Sequence, residues 1–252
     1  MPHPPRVAVI LAAGKGTRMK SSLPKVLHRA AGRPLLQWVV DAARAARCER
    51  ILVVVGHGAE RVREEITGDD LGWVLQAEQK GTGHALSCAL PVVDQIGPGD
   101  ELIVLCGDAP LIREETLEDL LALHRARHAG ATILTADLDD PTGYGRIVRR
   151  PNGDVARIVE HKDASEAERA LTEINSADYV FDRAAVKAAL GKVTNDNLQG
   201  EYYLTDTIAL LAQAGRPILA LKVDDPREVL GVNTLDQLQA AEDAYLARGA
   251  GR

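Results

Sequence analysis

The sequence is poor in aromatic residues, in cysteines and in long apolar runs, and each shortage excludes a class of protein. Aromatic side chains make up 3% of the 252 residues, so the core must be built from aliphatic side chains. No apolar run approaches the roughly 20 residues that a membrane-spanning helix needs. The three cysteines, Cys48, Cys88 and Cys106, show no C-x-x-C spacing, which argues against a disulfide framework and predicts a reducing, cytoplasmic location.

An excess of positive charge is also missing. The formal net charge of -6 gives no reason to expect binding to nucleic acid or to a membrane surface. A phosphate-bearing ligand would therefore have to meet cationic groups placed locally. Residues 1–6 lack the apolar segment of a signal peptide, and we predict that they form a short disordered lead-in.

What the sequence does have is a regular alternation of strand-like and helix-like segments, which predicts βαβ units on a parallel sheet. The predicted strands of the first half are residues 7–11, 51–55, 73–76, 102–106 and 131–136. The predicted helices between them are residues 35–46, 59–66, 81–93 and 114–128.

The second half changes character. Two alternating runs, residues 145–150 and 155–160, flank an Asn-Gly pair, which is a strong hairpin signal. The remaining predictions are strands at 173–181 and 218–223, and helices at 164–170, 183–190, 206–214 and 234–248. No linker-like tract separates the halves, so we predict one domain over 6–248. Its first half covers about 6–137, its second about 138–233, and the terminal helix 234–248.

Polar clusters follow three of the predicted strands. Glycines and basic residues follow Leu11, polar side chains begin at Gln76, and Gly107 and Asp108 follow Cys106. In parallel sheets ligands bind outside the carboxyl ends of the strands, so we expect these clusters to share one site. A tight solvated turn is the alternative for any one glycine-rich loop, because such patterns are weak evidence alone.

Several polar residues are candidate ligands with ordinary structural alternatives. Asp108 and Asn233 each end an apolar run, and a carboxylate paired with an amide oxygen suits Mg²⁺, although each also fits a loop or cap. Glu160 and Asn175 lie in strand-like segments, where structural polar residues are common. The seven histidines show no metal-type clustering.

Taken together, these segments resemble the sugar-1-phosphate nucleotidyltransferases. Within that family they are similar to the uridyltransferase domain of the bacterial bifunctional N-acetylglucosamine-1-phosphate uridyltransferases that also carry a glucosamine-1-phosphate acetyltransferase. The segments that carry the resemblance are Leu11-Ala12-Ala13-Gly14-Lys15-Gly16-Thr17-Arg18-Met19, Leu23-Pro24-Lys25, Gln76-Ala77-Glu78-Gln79, Gly81-Thr82-Gly83-His84-Ala85, Gly143-Tyr144-Gly145-Arg146-Ile147, Ile158-Val159-Glu160-His161-Lys162-Asp163, Glu173-Ile174-Asn175 and Gln199-Gly200-Glu201-Tyr202-Tyr203-Leu204-Thr205-Asp206.

The resemblance implies a fold and a reaction. The fold is α/β, a Rossmann-like three-layer α/β/α sandwich with a mixed, mostly parallel sheet and a sugar-binding hairpin half, as in nucleotide-diphospho-sugar transferases. The implied reaction is UTP plus N-acetylglucosamine 1-phosphate giving UDP-N-acetylglucosamine and pyrophosphate, with Mg²⁺ as cofactor, in the synthesis of amino-sugar nucleotides for the cell envelope.

The resemblance also assigns expected roles to individual residues. Arg18, Lys25 and Asp108 would be catalytic, and Asp108 with Asn233 would hold Mg²⁺. Three further groups would bind substrate. The nucleotide would be held by Leu11, Ala12, Ala13, Gly14 and Lys25, with Cys106 and Gly107 beside Asp108. Uracil would be read by Gln76, Gly81 and Thr82, and the sugar would be held by Gly145, Glu160 and Asn175.

The sequence departs from the family pattern at two places. Cys106 stands where Tyr or Ser is frequent, and Ser176-Ala177-Asp178 replaces Thr-Gly followed by an aliphatic residue, which puts the sugar selectivity in question. The bifunctional relatives continue into a β-helix that is not in this sequence. A monofunctional enzyme and a piece of a longer one both remain open, and we expect a monomer without the β-helix.

Three rival functions remain. The nearest is a nucleotidyltransferase for another nucleotide and sugar phosphate, such as dTTP with glucose 1-phosphate. A non-catalytic sugar-nucleotide sensor is disfavoured because the sequence keeps Arg18, Lys25 and Asp108. A dinucleotide-dependent enzyme is disfavoured because the third fingerprint glycine is missing and Gly56-His57, not an acidic residue, follows the second strand.

Overall fold

A nine-stranded mixed sheet forms the centre of the protein. The structure is a computed structural model that describes residues 5–97 and 99–250. The strands of the sheet, with the separate two-stranded pair β2 and β3, are β1 (Val7–Ala12), β2 (Arg29–Ala30), β3 (Arg33–Pro34), β4 (Arg50–Val55), β5 (Leu71–Leu75), β6 (Glu101–Cys106), β7 (Ala131–Asp137), β8 (Arg146–Arg149), β9 (Val155–Val159), β10 (Glu173–Asp182) and β11 (Ile218–Lys222).

Helices cover both faces of this sheet. The helices of the described residues are α1 (Leu35–Ala45), α2 (Ala59–Glu65), α3 (Thr82–Ile96), α4 (Glu114–Ala126), α5 (Glu166–Arg169), α6 (Arg183–Leu190), α7 (Asp206–Gln213) and α8 (Leu235–Ala250). Alternate residues of β1 serve the two faces: Ala8 and Ile10 pack with α1, α2 and α4, whereas Val7 and Val9 pack with α3, α6 and α7. The predicted three-layer α/β/α sandwich is therefore confirmed.

The main strands run in the order β11-β7-β10-β6-β1-β4-β5. β1 pairs in parallel with β4 and β6, and β4 with β5. β10 is antiparallel to both of its neighbours, β6 and β7. The sheet is thus mostly parallel, as predicted. β7, however, is separated from β6 by a strand that comes from the second half of the chain.

The Asn-Gly turn connects two antiparallel strands, as its sequence predicted. β8 pairs with β9 in register Arg146↔Val159, and β8 also joins β10 through Ile174↔Arg146. In β10 the pairing with β7 is broken between Asn175 and Tyr179. Ala177, inside this bulge, adopts a left-handed φ of 71°. The bulge lies next to the end of β6 and so faces the carboxyl edge of the sheet.

The terminal helix packs against the segment that follows β1 rather than against the sheet. Its Ala241 joins Met19, Leu35 and Val232 in a small third core cluster. Trp38 and Tyr245 have ring centroids 3.9 Å apart. This docking fixes the start of α8, where Asn233 lies.

The predicted disordered lead-in, residues 1–6, is described only in part. Residues 1–4 lie outside the described residues. For Arg6 the prediction of disorder is wrong, because its carbonyl accepts a hydrogen bond from the backbone of Glu49 and its guanidinium bonds Glu118 at 2.6 Å. Within the described ranges, no helix is long and apolar enough to cross a membrane.

Candidate functional site

A cavity of about 520 Å³ opens at the carboxyl ends of β1, β5 and β6. The sequence predicted this edge as the ligand-binding edge, and ten of the predicted site residues line the cavity: Leu11, Ala12, Ala13, Gly14, Lys25, Gln76, Gly81, Thr82, Cys106 and Asp108. Gly107 is next to the lining residues Cys106 and Asp108; its N–H donates to Leu11 O at 3.0 Å, and a Cβ on it would lie 3.0 Å from the same oxygen, a tight contact. Strands distant in sequence thus contribute to one pocket.

The glycine-rich loop after β1 encloses the stem of Lys25. Gly16 has a left-handed φ of +60°, and a Cβ on it would lie 2.6 Å from Cβ of Lys25. Only glycine fits such a position without strain. A Cβ on Gly14 would have no neighbour within 4 Å, so the backbone of Gly14 is open to a ligand. The loop thus combines a fixed lysine with accessible backbone.

Two oxygen-bearing side chains converge on the ammonium group of Lys25. Its Nζ forms an ion pair with Asp108 Oδ2 and donates to Asn233 Oδ1 at 3.0 Å. Arg18 Nη2 also donates to Asn233 Oδ1, at 2.7 Å. Asp108 is 6% exposed, whereas Arg18 is exposed. Residues 83 and 208 positions away from Lys25 are thereby brought together around one cation.

Backbone and capping contacts hold Asn233 in this place. Val232 N donates to the carbonyl of Asp108 at 2.9 Å, which joins the two segments directly. The backbone N–H of Asn233 donates to Gln237 Oε1 at 2.8 Å, and Thr234 Oγ1 caps the helix by accepting from Gln237 N. The position of Asn233 therefore follows from the docking of α8.

The loop before Asn233 is anchored by a buried carboxylate. Glu228 is fully buried, and its Oε2 accepts from Arg113 Nε at 2.7 Å while Oε1 accepts from Arg113 N at 3.1 Å. Such charge-assisted, two-point contacts fix geometry more firmly than single neutral hydrogen bonds. Glu228 thus restrains the segment that carries Asn233.

The donor set around Lys25 fits a hard divalent cation. A carboxylate and an amide oxygen are ligand types that Mg²⁺ accepts, and Mg²⁺ commonly takes one or two protein ligands and completes its shell with water or phosphate oxygens. Both oxygens already point at one positive charge, that of Lys25. Among the residues that the structure describes, no cluster of three or more His, Cys, Asp or Glu side chains forms a dedicated metal cage.

The predicted base-reading residues form a second side of the cavity. Gln76 is 3% exposed, and its Nε2 donates to Gly81 O at 3.0 Å. Thr82 Oγ1 accepts from Leu204 N at 3.1 Å. Gly81 has a φ of +104°, and a Cβ there would lie 2.5 Å from Tyr202 O. Segment 202–204 therefore supports this wall from outside the first half of the chain.

The three predicted sugar-binding residues lie together at the hairpin. A Cβ on Gly145 would be 3.6 Å from Asn175 Cβ and 3.6 Å from Glu160 Oε2, and Asn175 N donates to Gly145 O at 2.9 Å. Glu160 Oε1 accepts from Thr205 Oγ1 at 2.9 Å. Burial raises the pKa of Glu160, while the Thr205 contact opposes that rise. Glu160 Oε2 is therefore the carboxylate oxygen that lies beside Gly145.

Cys106 ends β6 between two carboxylates. Its Sγ donates to Asp108 Oδ1 at 2.8 Å, and its N–H donates to Asp178 Oδ1 at 2.8 Å. Burial, followed by the charge of Asp108, raises the pKa of the Cys106 thiol well above its ordinary value. A thiol in this state is a poor nucleophile. Cys106 therefore ends β6 as a buried, neutral thiol.

Several residues of the site were missed by the sequence reasoning. Thr205 holds Glu160, and His84 touches the Gln76 amide. Lys15, one of the basic residues that follow Leu11, also lines the cavity, and the further lining residues that were not predicted are Gly16, Val26, Gln79, Ala85, Ala177 and Glu201. Most of them lie within the segments that carry the family resemblance, so membership in those segments could have identified them. Ala177 lies two residues after the segment Glu173-Ile174-Asn175, where the sequence departs from the family pattern.

The chain is similar in sequence to curated bacterial proteins. The bifunctional protein GlmU of Pelobacter propionicus is 50% identical over 242 residues, which cover 96% of this chain and 52% of that protein. The same-named protein of Bacillus subtilis is 50% identical over 238 residues, with 94% and 51% covered. The chain thus spans about half the length of the curated relatives it matches.

The fold has a solved counterpart and the sequence a matching family. A crystal structure of UDP-glucose pyrophosphorylase complexed with UDP-glucose superposes with a TM-score of 0.79 over 97% of this chain and 99% of that one, at 17% identity. This likeness concerns the fold alone. The family described as MobA-like NTP transferase domain matches residues 8–186, well over half of the chain. The cavity at the strand ends, with its lysine and carboxylate, therefore lies in a protein that belongs to the MobA-like NTP transferase family.

Proposed function

We propose that this chain transfers a uridylyl group from UTP to N-acetylglucosamine 1-phosphate, giving UDP-N-acetylglucosamine and pyrophosphate. The reaction would serve amino-sugar nucleotide synthesis for the cell envelope. Two lines support it: about 50% identity to proteins named bifunctional protein GlmU, and segments that resemble the uridyltransferase domain of bacterial bifunctional enzymes. We further propose that it acts in the cytoplasm, which its three free cysteines favour, and that the chain alone is a monomer.

One observation carries the proposal: Lys25, Asp108, Asn233 and Arg18 are joined by side-chain contacts, and Lys25 and Asp108 line a cavity together with the open backbone of Gly14. A sugar phosphate is already an anionic nucleophile at neutral pH, so the reaction needs no general base. The obstacle is repulsion between this anion and a triphosphate. A site of fixed cations and backbone N–H groups answers that obstacle by positioning and charge neutralisation.

In this proposal the chain's own groups divide the work. The backbone of residues 11–14 and the ammonium of Lys25 bind the triphosphate, and Arg18 contacts the phosphate that leaves. Asp108 and Asn233 would hold Mg²⁺, which when bound supplies positive charge to the reacting phosphates. Gly107 N donates to Leu11 O and holds the backbone next to Asp108 against β1, and the Cys106 thiol donates to Asp108 Oδ1, so that the carboxylate keeps its direction.

Two groups of residues would then select the nucleotide base and the sugar. Gln76, Gly81 and Thr82 face the base, whereas Gly145, Glu160 and Asn175 face the N-acetylated sugar. Glu160, held by Thr205, has an oxygen that can accept from a sugar hydroxyl. Because removing a single polar contact in such a pocket leaves its partner unpaired, each wall should discriminate strongly against substrates that lack the matching group.

Pyrophosphate release tests the proposal. We expect release with UTP and N-acetylglucosamine 1-phosphate in Mg²⁺, and a loss of at least about a hundredfold in kcat for Asp108→Ala and Asp108→Asn, because one such contact is worth about 3 kcal/mol of barrier. Asp69→Asn, at an exposed carboxylate, is the matched control and should keep full activity.

The substrate panel separates the rivals. A preference for dTTP with glucose 1-phosphate would replace the proposed substrates, and no release with any pair would favour a sensor. Near-normal turnover of a folded Asp108→Asn variant would remove the role assigned to Asp108. Far-ultraviolet circular dichroism and thermal unfolding of each variant would show that lost turnover is not lost structure.

A further inference from the structure

The orientation of the Gln76 side-chain amide is fixed by its partners. One of its two terminal atoms lies 3.0 Å from the carbonyl oxygen of Gly81. A carbonyl oxygen can only accept a hydrogen bond, so the atom that faces it must be the NH₂ group, Nε2. Gln76 is 3% exposed, so water cannot freely replace this contact.

His84 takes the second hydrogen of the same NH₂ group. Its Nδ1 lies 3.0 Å from Gln76 Nε2. Because Nε2 can only donate, Nδ1 must accept, and the neutral ring must therefore carry its hydrogen on Nε2. That nitrogen faces Cys88 Sγ at 3.8 Å, a weak acceptor one turn along α3. The contacts thus fix both the amide and the tautomer of the ring.

The consequence lies at the cavity wall. With both N–H groups of Gln76 engaged, its Oε1 is left as the group that can meet a ligand. Oε1 receives no hydrogen bond from the described residues, and Gln76 lines the cavity. The wall therefore presents an acceptor and not a donor.

We propose that His84 is a positioning residue for base selection, acting through Gln76. The inference rests on the proposed function and deepens it. A uracil ring has a hydrogen on N3 and can donate to the fixed Oε1, whereas the N3 of cytosine is itself an acceptor and would face Oε1 with like partial charge. Without His84 the amide keeps only its contact with Gly81 O, so its Oε1 is held less firmly in the direction of the base.

Two variants of His84 separate this role from packing. Asparagine places Oδ1 close to where histidine has Nδ1, so His84→Asn keeps an acceptor for Gln76 Nε2. His84→Leu fills similar space without an acceptor. For His84→Leu we expect the KM for UTP to rise about five- to tenfold and the ratio of kcat/KM for UTP over CTP to fall by a similar factor, the range that one neutral hydrogen bond provides. The kcat with UTP and the KM for the sugar phosphate should stay within about twofold. His84→Asn should restore the UTP over CTP ratio.

Nitrogen NMR of the labelled wild-type protein tests the tautomer without a mutation. We expect the neutral ring of His84 to carry its hydrogen on Nε2 and not on Nδ1. Protonation on Nδ1 would overturn the inference, as would an unchanged UTP over CTP ratio in a folded His84→Leu variant or equal losses in both variants. These failures differ from that of the proposed function, because wild-type protein that does not use UTP with N-acetylglucosamine 1-phosphate would refute the activity whatever the state of His84.

Discussion

Asp178 offers a test of how burial of one carboxylate sets the pH dependence of stability. The residue is fully buried in the bulge of β10. Its Oδ1 accepts from Cys106 N at 2.8 Å, while its Oδ2 has no partner among the described residues. Burial, partly offset by the Cys106 and Ser176 hydrogen bonds, raises the pKa of Asp178 to about 7. The folded protein therefore keeps a proton that the unfolded chain loses at a much lower pH.

The magnitude follows from the difference between the two pKa values. An unfolded aspartate titrates near pH 3.9, so the shift is about three pH units, or about 4 kcal/mol at 1.36 kcal/mol per unit. Between these two values the native state binds more protons than the unfolded state, so the free energy of unfolding falls as pH rises. The full contribution is present below about pH 4 and is lost by about pH 7. Between pH 5 and pH 8 the loss amounts to about 2.5 kcal/mol.

Asp178→Asn removes this titration while keeping an oxygen that can accept from Cys106 N. Urea unfolding at pH 5, 6, 7 and 8 gives the free energy of unfolding of both proteins. The free energy of unfolding of the variant minus that of the wild type should increase by about 2.5 kcal/mol from pH 5 to pH 8. A pH-independent effect of the amide on stability would not change this increase. Asp69→Asn, at an exposed site, should show no such trend. A difference between Asp178→Asn and wild type that is the same at pH 5 and pH 8 would refute the reasoning.

Two further predictions concern stability. Gly16→Ala should lower the free energy of unfolding by about 1–3 kcal/mol, because alanine is strained at φ +60° and its Cβ would collide with Lys25. Gly14→Ala is the control: its Cβ meets nothing within 4 Å, and the free energy of unfolding should change by less than about 0.5 kcal/mol. Equal losses of stability in thermal unfolding of the two variants would contradict the strain argument. Glu228→Gln should lower the free energy of unfolding in urea at pH 7 by about 2 kcal/mol, because a buried charge-assisted contact to Arg113 is lost. An unchanged urea midpoint would show that this contact does not stabilise the fold.

The sequence was sufficient to predict most elements to within a few residues. Buried parallel strands are short apolar runs bounded by glycine or polar residues, and β4 (Arg50–Val55) and β6 (Glu101–Cys106) have that form. Helix periodicity placed α6 (Arg183–Leu190) at its observed bounds. The two-residue strands β2 and β3 were not predicted, because two residues carry no periodicity.

The order of strands in the sheet could not be predicted from local patterns. Pairing of β10 with β6 depends on contacts between residues about 75 positions apart, such as Tyr179 and Val104. The bulge within β10 was also unforeseen, although the unusual Ser176-Ala177-Asp178 sequence marked the place. Its conformation is stabilised by short-range side-chain contacts, since Ser176 Oγ accepts from Asp178 N at 3.0 Å and Asn175 Oδ1 from Ala177 N at 3.2 Å.

Family motifs located the candidate site better than they explained it. Gln76 and Glu160 were predicted as ligands, but the residues that orient them, His84 and Thr205, were not. Such orienting contacts depend on rotamers and tautomers, which a residue pattern does not specify. The roles of all these residues towards substrates stay predictions until the assays above are made.

The candidate site depends on the folded state of the whole chain rather than on any one motif. Lys25, Asp108 and Asn233 come from three distant segments, and the entropy of closing such long loops must be offset by burial elsewhere. The docking of α8 supplies part of that burial through Tyr245 against Trp38. The docked helix acts together with the Val232–Asp108 backbone bond and the Glu228–Arg113 contact, which lie just before Asn233. The segment at the far end of the described chain therefore takes part in holding the Asn233 and Asp108 oxygens towards the ammonium of Lys25.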